Sequence, residues 1–291
     1  MRVPPAIGVR VDENLAACAC LAAFAAVSAA SAAAFAAGTA PADAPIQNAA
    51  PRASDWANLA KLPDWSGTWT PAPDDRAFPL GRKEPKWLPD VARQVQQLKD
   101  DDAAGTPRNV FVNCLPEGMP SFPLMTVNAL EILFTPGRVT MLGEFDGNRL
   151  RRIYTDGRPH PEDPDLTFNG HSIGHWEKDT LLVDTIAILP EVYLPLGQAI
   201  AFPNNGDMHI EERIHLTGPD RLIDELSVSA PHVLAQPWVV SRSFVRSRER
   251  RFDIIEASCR QGDFREGKDA NNNAVFLPID REAGGAPVPP H

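Results

Sequence analysis

The segment Gly170 to Ile186, GHSIGHWEKDTLLVDTI, gathers two histidines, a tryptophan and the carboxylate of Asp184 in one short run. An imidazole oriented by a carboxylate is suited to general acid–base catalysis, because the carboxylate selects one tautomer and raises the basicity of the ring. Whether either histidine meets Asp184 depends on the backbone. The residues flanking Glu177-Lys178-Asp179-Thr180 predict two strands joined by a tight turn. With Trp176 opposite Leu181, one face carries Ser172, Gly174, Trp176, Leu181, Val183 and Thr185. The other carries His171, Ile173, His175, Leu182, Asp184 and Ile186. Asp184 then stands opposite Ile173 and diagonal to both histidines. A slip of one residue would carry it to the tryptophan face and undo the pairing. The same geometry bears on metal binding. His171 and His175 would be about 13 Å apart along a strand rising roughly 3.3 Å per residue, whereas zinc holds its ligand atoms about 2 Å away. Joint chelation is not expected, and no metal is assigned.

A second carboxylate stands out in Met208 to Leu216, MHIEERIHL, where Ile210, Glu212, Ile214 and Leu216 share a strand face. Desolvation raises the pKa of such a group and equips it as an acid or base. The alternative is an ion pair with an inward arginine such as Arg152. His209 points the other way, and reaches the Glu212 pocket only if it precedes the strand proper. In Arg151 to His160, RRIYTDGRPH, Arg152, Tyr154 and Asp156 share a face, and arginine with tyrosine suits a carboxylate or phenolate. The alternative there is an ordinary charged strand end. The expected catalytic residues are therefore His171, Asp184 and Glu212. Arg152, Tyr154, His209 and Trp176 are the expected substrate contacts. The chain contains no nucleophile elbow, Walker loop or dinucleotide glycine motif. Covalent serine catalysis is thus unsupported, and no cofactor is expected.

These side chains need a scaffold of strands. Glu131–Phe134, Val139–Phe145, Asn148–Asp156, the central hairpin, His209–Thr217, Leu222–Ser229, Trp238–Arg246 and Arg251–Ser258 read as a meander punctuated by turn residues. One helix is expected at Asp90–Ala104, with Val91, Val95 and Leu98 as its apolar stripe. Arg242, Arg246, Arg248 and Arg250 alternate along Ser241–Arg251 and read as a solvated or edge face, with an anion site as the minor alternative. The long apolar segment Ile186–Asp207 suits a lid over a pocket. Gly67-Thr68-Trp69 resembles the Gly-x-Trp signature of lipocalin-like (calycin) barrels. The resemblance implies a mainly β fold: an antiparallel calycin-like β-barrel with one short N-terminal helix. Barrels of about eight strands have an interior that holds one small ligand.

The first residues read as an export signal. Arg2 and Arg10 precede the apolar run Leu15–Ala37, and small residues follow it. The expected organisation is a signal peptide at 1–42, a flexible lead-in at 43–60, the barrel at 61–262 and a loosely ordered tail at 263–291. Signal removal leaves Cys114 and Cys259, which in an oxidising compartment suggest one disulfide, worth about 4–5 kcal/mol by loop entropy; two buried thiols are the alternative. The formal net charge of −10 argues against nucleic acid as partner. No stable membrane insertion is expected after signal cleavage.

Several segments together resemble a family of exported bacterial proteins: PDWSGTW, NCLPEGMP, EILFTPGRV, RRIYTDGRPHP, GHSIGHWEKDTLLVDT, HIEER and IEASC. They span about Pro63 to Cys259. The family's central motif reads GHSIGxWEGDTLVVDT, so the resemblance carries over His171, Trp176, Asp179 and Asp184, while His175 falls at its variable position. Lys178 stands where the motif has glycine, which implies a lysine held at positive φ at a cost of roughly 1 kcal/mol. The expected function is a periplasmic or secreted, cofactor-free acid–base enzyme of lyase, isomerase or hydratase type. Its partner would be a small apolar or aromatic molecule. The alternative is a non-catalytic lipocalin-like protein that binds a small hydrophobic ligand.

Overall fold

The computed structural model describes residues 50–75, 84–105, 115–125, 129–144, 149–196 and 201–256, and the backbone of 264–268 and 274–278. The expected signal segment at 1–42 and both Cys114 and Cys259 lie outside these residues. Nine strands close into a calycin-like barrel: β1 (Gly67–Pro71), β2 (Leu130–Thr135), β3 (Arg138–Gly143), β4 (Leu150–Tyr154), β5 (His171–Glu177), β6 (Thr180–Ile186), β9 (His209–Gly218), β10 (Arg221–Ser229) and β11 (Trp238–Arg246). β1 completes the ring by pairing with both β2 and β11. Burial alternates along the strands, as a half-buried sheet requires. Trp69, Met141, Ile153, Leu226 and Phe244 are among the large inward side chains, all nearly inaccessible to solvent. Inward positions that would line a ligand chamber in a lipocalin-like barrel are thus occupied by the protein's own core.

Two features depart from a simple meander. β4 and β5 run parallel, with Ile153 opposite Ser172 and Tyr154 opposite Ile173. Segment 155–170 must therefore cross back over the barrel before β5 starts. The second departure is the Ile186–Asp207 segment, expected as a lid. It forms a small hairpin, β7 (Tyr193–Pro195) and β8 (Ala201–Pro203), and its Val192, Leu194 and Phe202 join the hydrophobic core. Buried Asn204 pins it by donating from Nδ2 to the carbonyls of Leu189 (2.7 Å) and Val192 (2.8 Å).

The helix expected at Asp90–Ala104 is α2 (Pro89–Ala103), begun by a proline whose missing N–H would have no partner there anyway. Val91 and Val95 are its buried stripe. Two further helices form, α1 (Ala53–Leu59) within the Ala/Pro-rich lead-in and α3 (Ser121–Met125). Arg251 to Glu256 is not a strand. The edge of β11 that it would have paired with is taken by β1. In the tail, β12 (Phe264–Lys268) and β13 (Ala274–Pro278) pair with each other. Among the described residues no helix is long and apolar enough to cross a membrane.

The arginines of β11 correct the solvated-face reading. Arg242 shares its strand face with Trp238, Val240 and Phe244, and is 1% exposed. It donates to the Asp75 carbonyl and lies 3.8 Å from the Asp75 carboxylate. Arg246 caps the other end of that face, with its guanidinium 4.5 Å from the Trp69 ring centroid. It also donates to the Asp64 and Ser66 carbonyls, tying the entry of β1 to the end of β11. The cation–π contact and the two donated hydrogen bonds explain why an arginine rather than an aliphatic residue closes the barrel here.

Candidate functional site

The central hairpin has the expected register. Trp176 pairs with Leu181, Ile173 with Asp184 and His171 with Ile186. The turn carries the expected strain, since Lys178 has φ +56. At the other end of β5, Gly170 has φ +66, and a Cβ there would lie 2.4 Å from the Ile186 carbonyl oxygen. Glycine therefore lets the crossover segment enter β5 tight against β6. This entry sets the position of His171.

The outward face of the hairpin joins the crossover segment in a cluster of histidines. His171 and His160 meet through their Nδ1 atoms at 2.8 Å. On the far side of the His160 ring, Nε2 lies 3.4 Å from Asp184 Oδ1. The same oxygen is 2.8 Å from His209 Nε2. The pairing scheme expected Asp184 to meet His171 directly; instead His160 stands between them, and His209 takes the nearer position on the carboxylate. Tyr154 stacks on His171 with ring centroids 5.4 Å apart and an interplanar angle of 24°. The Arg158 guanidinium lies 4.1 Å from the Tyr154 ring centroid and is held by Asp156. Burial, then the adjacent His160 and Arg158, hold the His171 pKa below the ordinary histidine value of 6.5. The ring is therefore neutral at neutral pH.

His171 lines a pocket of about 600 Å³ between the outer face of β4 and the crossover segment. Arg152, Tyr154, Leu150, Phe168, Pro161 and Pro164 also line it. Arg152 makes no hydrogen bond or ion pair among the described residues, so its guanidinium is available to an anion. A second hollow of about 760 Å³ lies along the outer faces of β5, β6, β9 and β10 and includes Asp184, Glu211 and Arg213.

Glu212 belongs to a separate group inside the barrel. Its carboxylate takes a two-oxygen fork from Arg151, at 2.8 Å for Nη1 to Oε1. Neither side chain has any solvent exposure. The inward arginine is therefore Arg151, and Arg152 faces out. Arg151 Nη2 also donates to Ser172 Oγ (3.3 Å) and Thr185 Oγ1 (3.2 Å), which bond each other at 2.8 Å. Asp224 adds a second buried carboxyl. Burial first, and the Glu212 charge next, push its pKa well above the carboxylate range, with Arg151 opposing. Two buried carboxyls beside the single Arg151 cation disfavour ionisation of Asp224. Glu212 thus makes the ion pair weighed as the alternative, with Arg151 rather than Arg152, and no hydrogen bond joins it to the outward histidines among the described residues. Trp176, expected at the substrate, also faces inward. It packs on Trp65 and Phe134, with centroids at 4.8 and 6.0 Å, and plugs the turn end of the barrel.

Of the seven expected site residues, His171, Asp184, His209, Arg152 and Tyr154 lie on the outer wall, and Glu212 and Trp176 lie within. Two participants were not singled out from sequence: His160 and Arg158. Both belong to the RRIYTDGRPHP motif, whose histidine was its only unassigned ionisable ring. Among the described residues no group of three or more histidine, cysteine, aspartate or glutamate side chains could hold a metal ion. No protein-family model and no curated protein matches the chain.

Proposed function

We propose that this protein is an exported acid–base enzyme of lyase, isomerase or hydratase type. Its substrate is a small molecule with an aromatic or apolar body and an anionic or phenolic group. The observation that carries the reading is His171: a neutral imidazole in the wall of a pocket that also offers the guanidinium of Arg152, unpaired among the described residues. His171 removes or returns a proton. Arg152 and the Tyr154 hydroxyl hold the anionic or phenolic end, while Phe168, Leu150 and the prolines receive the body. A neutral base next to a fixed cation favours substrates that develop negative charge as they lose a proton.

The test is a metabolite screen with purified protein, comparing wild type with His171→Ala and Arg152→Ala. Positioned proton transfer typically contributes about 10²–10⁴ in rate, so His171→Ala is expected to lose turnover by that factor. Arg152→Ala is expected to raise KM more than it lowers kcat. Ligand capture by the wild type without turnover, unchanged in His171→Ala, would refute the enzyme reading and favour a carrier.

A further inference from the structure

The four polar groups of the outer cluster are two hydrogen-bonded pairs, His160–His171 and His209–Asp184, joined by a 3.4 Å approach of His160 to the carboxylate. We infer that Asp184 sets the tautomer of His171 without touching it, acting through His160. An ionised carboxylate only accepts hydrogen bonds, and each of its oxygens takes two. Asp184 Oδ1 faces His209 Nε2 at 2.8 Å and His160 Nε2 at 3.4 Å. His209 Nε2 must therefore present a proton to it, whereas His160 Nε2 makes no hydrogen bond among the described residues and feels the carboxylate only through its charge, which at 3.4 Å favours the proton on that nitrogen. A neutral His160 with its proton on Nε2 has a bare Nδ1. That Nδ1 lies 2.8 Å from His171 Nδ1, and two bare nitrogens at that separation would repel. His171 Nδ1 therefore carries the proton and donates it to His160. The remaining nitrogen of a neutral His171, Nε2, is left with its lone pair.

His171 Nε2 makes no hydrogen bond among the described residues. It is the nitrogen free for the pocket that the ring lines. The relay thus presents a basic nitrogen rather than an N–H to whatever occupies the pocket. A free histidine side chain favours the opposite tautomer, with the proton on Nε2, so the cluster holds His171 in its less stable form. His160 and Asp184 are positioning residues in this scheme. His209 shares Asp184 Oδ1 but lies outside the path from Asp184 to His171. The inference rests on His171 as the base of the proposed site, but its readout needs no substrate.

The experiment is long-range ¹H–¹⁵N correlation on uniformly ¹⁵N-labelled full-length protein at slightly alkaline pH, where histidines are neutral. His171 signals are identified by their loss in His171→Gln. The wild type is expected to show a pyrrole-type Nδ1 and a pyridine-type Nε2 at His171. Asp184→Ala and His160→Ala are expected to exchange the two types, and His209→Ala to leave them unchanged. His160→Gln should retain the wild-type pattern, because its amide oxygen accepts from His171 and its NH2 donates to Asp184. A pyrrole-type Nε2 at His171 in the wild type would overturn the inference. So would an unchanged pattern in folded His160→Ala. Asp184 is half exposed, so Asp184→Ser provides a second variant should alanine unfold the protein. The wild-type tautomer found as stated, with no substrate ever turned over through His171, would remove the enzyme reading and leave this inference standing.

Discussion

The charges inside the barrel are predicted to respond to mutation non-additively. Arg151 and Glu212 are fully enclosed and hydrogen-bonded in a fork. Burial and the Glu212 charge push the pKa of Asp224 well above the carboxylate range, which favours its protonated form. In Glu212→Gln that charge is gone, while Arg151 still pulls the Asp224 pKa down. Asp224 is then expected to ionise and take over as counter-charge. Breaking a buried ion pair outright costs about 3–5 kcal/mol. With the substitute in place, Glu212→Gln should cost only about 1–2 kcal/mol, the scale of one disturbed hydrogen bond. Asp224→Asn keeps the charge balance and a donor toward Glu212, so it should cost less than about 1 kcal/mol. The double variant leaves Arg151 without a counter-charge and should lose the full amount of about 3–5 kcal/mol. Urea unfolding of the four proteins at neutral pH measures the cycle, and a coupling of about 2 kcal/mol is expected. At about 2–4 °C per kcal/mol for a domain of this size, the double variant melts roughly 6–20 °C below wild type. If the two single costs simply add to the double, Asp224 is not the reserve charge and the argument fails. Loss of catalysis in a Glu212→Gln variant of wild-type stability would instead return Glu212 to the active site.

Three further outcomes are expected. Asp224 and His171 impose opposite pH slopes on stability. The folded-state pKa of Asp224 is raised, so its contribution is complete below the unfolded value of 3.8 and is lost as pH rises toward the folded value; Asp224→Asn should abolish that loss in urea midpoints measured against pH. The folded-state pKa of His171 is depressed, so the unfolded chain takes up the proton first and stability falls as pH drops below 6.5; His171→Gln should flatten that limb of the same curve. Lys178→Gly relieves a left-handed lysine and should stabilise by up to about 1 kcal/mol, less what glycine's chain entropy removes, seen as a small rise in Tm. Gly170→Ala meets both a positive φ and the Ile186 carbonyl, so it should cost at least about 1–2 kcal/mol and lower Tm by several degrees.

The parts of this molecule that were legible in sequence are those where neighbouring residues differ sharply in polarity. The hairpin register was readable because Trp176, Leu181 and Val183 fall on one face and His171, His175 and Asp184 on the other, and a slip would expose the buried set. β4 was misread for the same physical reason in reverse. Leu150, Arg152 and Tyr154 look the more apolar set, yet Ile153 is the residue that goes fully inside, and it takes Arg151 with it. Burying Arg151 is tolerable only because Glu212 meets it from a strand 61 residues later in the chain. Arg242 illustrates the same rule with a clearer signal. Trp238, Val240 and Phe244 on its own face already mark that face as interior, and the missing information was its partner, Asp75, 167 residues away. His160 was the hardest to find. No local periodicity links it to His171, because the contact exists only where the parallel pairing of β4 and β5 forces segment 155–170 back across the barrel wall. Polarity patterns along one strand therefore locate a charge on a face, but whether that charge is solvated or enclosed is decided by a partner that only the barrel's closure brings to it.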